Sequence, residues 1–216
     1  MSQPFFTSDL HAWHRSRAEF RGFSTMEAMN EAIIADWNRV VRPVDEVYLL
    51  GDVCFAGTTK TLDFLDQLNG RIHLVRGNHD KGMSGQVLQR FESVDKMMSI
   101  KVPVARGDGI NTVYRIELCH FPMLSWDLAH YGAWHLHGHS HGNCKYPHEN
   151  ARMMDVGIDT QTPYVPLRGE APNWQGRFRP YSFQEVRDIM LARENWSPDH
   201  RVRSEDESRE FLREAV

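Results

Sequence analysis

"RIHLVRGNHD", residues 71–80, decides how the chain folds. An apolar run through Ile72, Leu74 and Val75 stops at Gly77 and gives way to three polar side chains. A short run that ends this abruptly reads as a β-strand delivering polar groups at its carboxyl end. The same grammar recurs upstream, where "QPFFTSDLH" turns polar at Asp9 and "EVYLLGD" ends at Asp52. Helical patterns fill the spaces between. From Met26 the apolar residues Met29, Ile33, Trp37 and Val40 recur at helical spacing behind a capping-box pattern of Ser24 and Glu27, and this helix must end before Pro43. "TTKTLDFLDQLN" sets Leu62, Leu65 and Leu68 on one helical face with Gly70 in the stop position, while "SRAEFRGF" reads as an irregular basic and aromatic connection. Strands alternating with helices imply an α/β fold with a parallel sheet, in which ligands gather beyond the carboxyl ends of the strands.

Further on, "KMMSIKVPV" and "NTVYRIELCH" flank the turn-like "RGDG" and read as a hairpin, which adds antiparallel strands. "AWHLHGH" and "RMMDVGID" are two more candidate strands, and a final helix starts at a capping box of Ser182 and Glu185. The 216 residues fit one domain, read as residues 1–196, followed by a charged C-terminal tail at 197–216 that is a surface helix or mobile and either mediates a homo-oligomer or has no such role. Net charge is −4 with histidine neutral, which argues against a protein that coats extended nucleic acid. No run approaches the roughly 18 apolar residues of a membrane span, and the start has no signal core, so a cytoplasmic location with no membrane partner is expected. Cys54, Cys119 and Cys144 are odd in number and widely spaced, which indicates neither a disulfide framework nor a thiolate zinc site.

"LHGHSHG", residues 136–142, places His137, His139 and His141 at alternate positions between glycines. Two readings stand at this point. Alternate residues of a strand share a face, so the histidines can be one polar face of a sheet; or the imidazoles bind a transition metal, aimed by the turns that glycine permits. The second reading needs carboxylates from elsewhere, and Asp9 with His11, Asp52, Asn78 with His79 and Asp80, and His120 all sit at predicted strand ends.

In this order "DLH", "GD", "GNHD", "CHFP" and "GHSH" resemble the five signature blocks of the calcineurin-like metallophosphoesterase superfamily. A narrower likeness to small bacterial and phage phosphoesterases runs through "FFTSDLH", "DWNRVVRPVDEVYLLGDV", "LNGRIHLVRGNHD" and "HLHGHSHG". The resemblance implies a layered α/β/β/α sandwich with two central mixed sheets. It also implies two divalent transition-metal ions, the first held by Asp9, His11, Asp52 and His141 and the second by Asp52, Asn78, His120 and His139, with Asp52 shared. Manganese is the first expectation, with iron, zinc, nickel and cobalt suited to the same mixed donors. The implied activity is hydrolysis of a small phosphoester by water, with a nucleotide-like diester favoured over a monoester; a non-catalytic interaction scaffold is the rival reading.

By the same resemblance His79 contacts phosphate and protonates the leaving oxygen, and Asp80 either orients the His79 ring or is a simple turn former. Asn78, Arg76 and His14 are further candidates for substrate contact, Arg76 as a bidentate donor to phosphate. His137 is expected to be structural and Trp126 a packing residue. The stretch "TQTPYVPLRGEAPNWQGRFRP" is long for a loop inside one domain, and Trp174 with Arg168, Arg177 or Arg179 forms either a lid over the substrate or an exterior packed loop.

Overall fold

The protein is described by a computed structural model in which residues 4–105, 111–146, 151–160, 177–204 and 206–207 are described. In chain order the elements are β1 (Phe5–Thr7), α1 (Arg15–Phe20), α2 (Met26–Val40), β2 (Glu46–Leu49), α3 (Thr58–Leu65), β3 (Arg71–Val75), α4 (Gly85–Leu88), β4 (Ser93–Asp95), β5 (Met97–Ala105), β6 (Asn111–Cys119), β7 (Trp134–His137), β8 (Met153–Asp155), β9 (Tyr181–Ser182) and α5 (Phe183–Leu191).

Two mixed sheets result. The first runs β4-β3-β2-β1-β9, parallel except for β9, and the second runs β5-β6-β7-β8 with only the β5–β6 pair antiparallel. The expected hairpin is that pair, in register from Met97 opposite Cys119 to Ala105 opposite Asn111. Side-chain alternation sorts the cores. Val47, Leu49, Ile72 and Leu74 face Met29, Ile33 and Trp37 of α2 and Phe64 of α3, whereas Phe6, Leu50 and Val75 face Ile116, Leu118, Trp134 and Leu136 of the second sheet. Phe183, Val186 and Met190 of α5 join this inter-sheet core. On the far side of the second sheet Trp126, Ala129 and Ala133 cover Met153, so the fourth layer of the sandwich is a thin segment with a 3-10 turn at Ala129–Tyr131. Trp126 is a packing residue there, its Nε1 donating to the Ala133 carbonyl at 2.9 Å.

Several boundaries differ from the sequence expectation. "SRAEFRGF" contains the helix α1, whose N-cap is His14, its Nδ1 accepting from Arg17 N. The cap of α2 is Thr25 rather than Ser24, accepting from Ala28 N at 3.1 Å. α3 ends at Leu65, short of Leu68, but the predicted leucines do face the core: Leu65 and Leu68 are buried and Leu62 packs against the same cluster, joined by Thr61 and Phe64. The capping box at Ser182 and Glu185 is present. Trp174 and Arg168 lie outside the described residues; the end of that stretch is packed, with Phe178 fully buried, its N–H bonded to Asp36 at 3.0 Å, and Arg179 paired with Glu185. From the charged tail Asp199 accepts from Ser125 Oγ and Arg203 N donates to the His130 carbonyl. Among the described residues no helix is long and apolar enough to cross a membrane.

Candidate metal centre

Five strands, three from the first sheet and two from the second, end at one place. Asp9 and His11 follow β1, Asp52 follows β2, Asn78 to Asp80 follow β3, His120 follows β6, and His139 and His141 follow β7. To turn toward a common point the backbone takes left-handed values at Asp9 (φ 59°), His11 (49°), Asp52 (55°), His139 (67°) and His141 (48°). Aspartate and histidine tolerate this region better than most residues, yet five such positions in one site mark a backbone held in place by its surroundings. Those surroundings include bonds between strand ends, Asp9 N to the Gly51 carbonyl at 3.0 Å and His11 N to the Asp52 carbonyl at 2.9 Å.

The side chains fall into two sets that meet at Asp52. His11 Nε2 lies 3.6 Å from Asp9 Oδ1 and 3.7 Å from Asp52 Oδ2, and His141 Nε2 lies 3.7 Å from Asp9 Oδ1. On the other side His120 Nε2 is 3.5 Å from the same Asp52 Oδ2, and Asn78 Oδ1 is 3.0 Å from both His120 Nε2 and His139 Nδ1. The seven residues expected from the sequence as ligands are therefore together. Within them Asp9, His11 and His141, and separately Asp9, Asp52 and His120, offer donor atoms that all lie within 4.8 Å of one another.

The donor set fits divalent cations. Asp9 Oδ1 and both His11 nitrogens are buried and have no hydrogen-bond partner, a costly arrangement unless a cation is their partner. Burial pushes the His11 imidazole down to about 4, so at neutral pH its lone pair is available. Burial acts upward on Asp9, but the neighbouring His11 and His141 rings outweigh it and hold the carboxyl below its usual range. Neutral imidazoles with ionised carboxylates and one amide oxygen suit borderline transition metals.

Residues that the sequence did not single out fix this arrangement. His141 Nδ1 donates to Asp159 Oδ2 at 2.8 Å, and Arg21 clamps the same carboxylate with Nε to Oδ1 at 2.8 Å and Nη2 to Oδ2 at 2.9 Å. Arg21 also donates to the carbonyls of Leu10 and Asp9. Asp155 holds the "GHSHG" turn, accepting from Ser140 Oγ at 2.6 Å and Gly142 N at 2.9 Å. The only prior signal for these groups is a charged residue beside apolar ones, as in "DVGID". Two glycines admit the carboxylates: a Cβ on Gly77 would lie 2.3 Å from Asp52 Oδ1, and one on Gly138 would lie 1.9 Å from Ser8 Oγ and 2.5 Å from Asp9 Oδ2.

The expected role of Asp80 is corrected. Its carboxylate is fully buried and faces the backbone, accepting from Asp52 N at 2.9 Å, Gly77 N at 2.7 Å and Val53 N at 3.0 Å, so it positions Asp52 rather than the His79 ring. His79 keeps a half-exposed ring with Nε2 3.9 Å from Asp52 Oδ2. Arg76 directs Nη2 to the carbonyls of Asp80 and Lys81, fastening the turn that carries His79. His14, whose Nδ1 caps α1, sits edge-on to Phe55 with ring centroids 4.0 Å apart. His137 is fully buried, bonded through Nε2 to the Tyr146 hydroxyl at 3.0 Å, away from the donor sets.

Comparisons with known proteins bear on this geometry. The family model of calcineurin-like phosphoesterases matches residues 5–143. The uncharacterized protein MJ1445 of Methanocaldococcus jannaschii is 32% identical over 167 residues, covering 74% of this chain and 83% of its own. The gene 66 protein of Mycobacterium phage L5 is 32% identical over 184 residues, covering 74% of this chain and 87% of its own. The crystal structure of AQ665 from Aquifex aeolicus, a protein of unknown function, superimposes with a TM-score of 0.59 at 20% identity, covering 88% of this chain and all of that one, a likeness of fold. With five strand ends converging on two donor sets and the family model matching from β1 through the "GHSH" turn, the chain belongs to the calcineurin-like phosphoesterase family.

Proposed function

We infer that the chain is a metal-dependent phosphoesterase with two cations, acting on a small, nucleotide-like phosphodiester. The observation that carries this reading is the position of Asp52 Oδ2, 3.7 Å from His11 Nε2 and 3.5 Å from His120 Nε2, between the two donor sets. Asp9, His11, Asp52 and His141 would hold one ion, and Asp52, Asn78, His120 and His139 the other. When bound, a pair of divalent ions lowers the pKa of water and offsets charge on the phosphoryl oxygens. Manganese is the ion of first choice for these donors.

The chain's own residues do the rest. Hydrolysis joins the water oxygen to phosphorus and breaks the ester P–O bond, and the departing oxygen takes a proton. His79, whose half-exposed ring faces Asp52, is the group placed to hand that proton over. The net charge of −4 disfavours a long polyanion and favours a small ester. Three free cysteines, two of them buried, fit a reducing cytoplasm.

Purified protein loaded with manganese should carry two ions per chain by elemental analysis and hydrolyse a chromogenic diester faster than the matching monoester. Asp52→Asn should lower the metal content and reduce the rate by about 1,000-fold or more, since metal stabilisation is worth several kcal/mol. A faster monoester reaction would reassign the substrate class at the same centre. Two bound ions with no hydrolysis of either ester would make the protein a binding scaffold.

A further inference from the structure

Beside the candidate metal centre lies a cleft of about 300 Å³, framed by Phe55, Gly57 and Thr58 at the start of α3 and by His79, Met83 and Ser84 at the turn before α4. We propose that this cleft receives the leaving group of the substrate and selects an uncharged, ring-bearing alcohol such as a nucleoside or an aryl alcohol. The assignment rests on the phosphoesterase reading above, because it takes His79 as the donor to the departing oxygen.

Three observations carry it. His79 belongs to both places: its Nε2 is 3.9 Å from Asp52 Oδ2, and its ring forms part of the cleft wall. A phosphorus atom at the metal centre whose departing oxygen faces His79 therefore has the rest of the alcohol directed to this cleft. Second, no Asp, Glu, Lys or Arg is among the lining residues, so a charged leaving group would lose hydration with no counter-charge to meet it. Third, the walls suit a ring with polar substituents. Phe55 is 37% exposed and its ring packs 4.7 Å from that of His79. Ser84 Oγ accepts from Thr58 Oγ1 at 3.1 Å and from Val87 N at 3.4 Å, which occupies both acceptor positions and leaves its own proton to donate to a ligand. The volume stands at the small end of the roughly 300–1,000 Å³ typical of ligand pockets, sized for one nucleoside or bicyclic ring rather than an oligomer.

Gly57 and Gly82 both line the cleft, and a Cβ on either meets nothing within 4 Å, so a side chain can be started at each without a backbone clash. The test compares methyl 2-naphthyl phosphate with methyl phenyl phosphate on the manganese-loaded wild type, Gly57→Leu and Gly82→Leu. Narrowing the cleft should lower the naphthyl-to-phenyl ratio of kcat/KM by roughly 10-fold or more, the scale on which apolar pockets discriminate size. A ratio unchanged within two-fold in both variants, with wild-type metal content and circular dichroism, overturns the proposal and leaves the phosphoesterase reading intact. Should the wild type hydrolyse neither ester, the activity reading fails instead. Binding is read separately on the wild type labelled with 13C at methionine methyls, titrated with naphthylmethylphosphonate. The Met83 methyl should shift strongly with this probe and little with methylphosphonate, and an unmoved Met83 resonance overturns the cleft assignment whatever the rates show.

Discussion

Asp159 accepts a hydrogen bond from Nδ1 of His141 at 2.8 Å, which leaves Nε2 of that ring facing Asp9. Because Arg21 holds the same carboxylate through two nitrogens and the Asp9 carbonyl through one of them, a single buried ion pair sets both the ring and the backbone of one donor set. Burial opposes the charge on Asp159, but His141 and Arg21 together hold its carboxyl well below the ordinary value.

Asp159→Asn keeps the size of the side chain and removes its charge. Losing a carboxylate that orients a metal-ligating histidine weakens metal binding by about 10- to 100-fold. If the centre takes two ions as proposed, the loss should fall on one of them only, which a chelator competition titration resolves as one weakened and one unchanged step.

Gly77 and Gly138 leave no room for a methyl group against the Asp52 and Asp9 carboxylates. Gly77→Ala and Gly138→Ala should each displace a carboxylate by a distance that costs roughly 100-fold in activity. Gly85→Ala, where the added atom meets nothing within 4 Å, should leave kcat/KM within two-fold of wild type in the same assay.

Asp80→Ala strips acceptors from three buried N–H groups, those of Asp52, Val53 and Gly77. Each orphaned donor costs about 1–3 kcal/mol, so urea unfolding should show a loss of several kcal/mol. Asp80→Asn retains one carbonyl oxygen and should recover only part of it. His79→Asn, which leaves those bonds in place, should lower kcat by about 100- to 10,000-fold with little change in stability.

His135 makes the fold sensitive to acid. Its Nδ1 donates to the Glu117 carbonyl at 3.0 Å and its Nε2 accepts from Met123 N at 3.1 Å, so a second proton would oppose an N–H. Burial, with His137 nearby, pushes its pKa down to about 4. The unfolded chain binds that proton near pH 6.5 and the folded chain does not until about 4, so stability falls as pH drops through this window and is flat above it. The slope is at most about 1.4 kcal/mol per pH unit. His135→Gln, which keeps one donor and one acceptor, should reduce the difference in urea midpoint between pH 7 and pH 5 in the metal-free protein, with the buried His11 accounting for part of what remains.

Much of the centre was legible because strand ends are local features: an apolar run halting at Asp9, Asp52 or Asn78 declares itself within ten residues. Arg21 and Asp159 were not, since 138 positions separate them and their pairing exists only once the sheets are packed. Adjacency misled at Asp80, where a 3-10 turn over Asp80–Gly82, capped by His79, sends the two neighbouring side chains apart, that of Asp80 to the backbone and that of His79 to the cleft. Helix α1 went unrecognised because six residues carry too little periodicity and its cap is a histidine rather than a usual capping residue. In α3 the leucine stripe was read correctly, Leu62, Leu65 and Leu68 all reaching the core, and only the end of the helix at Leu65 was missed.

The left-handed backbone at Asp9, His11, Asp52, His139 and His141 carries a cost of order 1 kcal/mol per residue that glycine would not bear. Drift toward glycine at any of these five places would relax the chain while erasing its chemistry. The easiest route to a sturdier molecule at these places is thus also the one that dismantles the donor set.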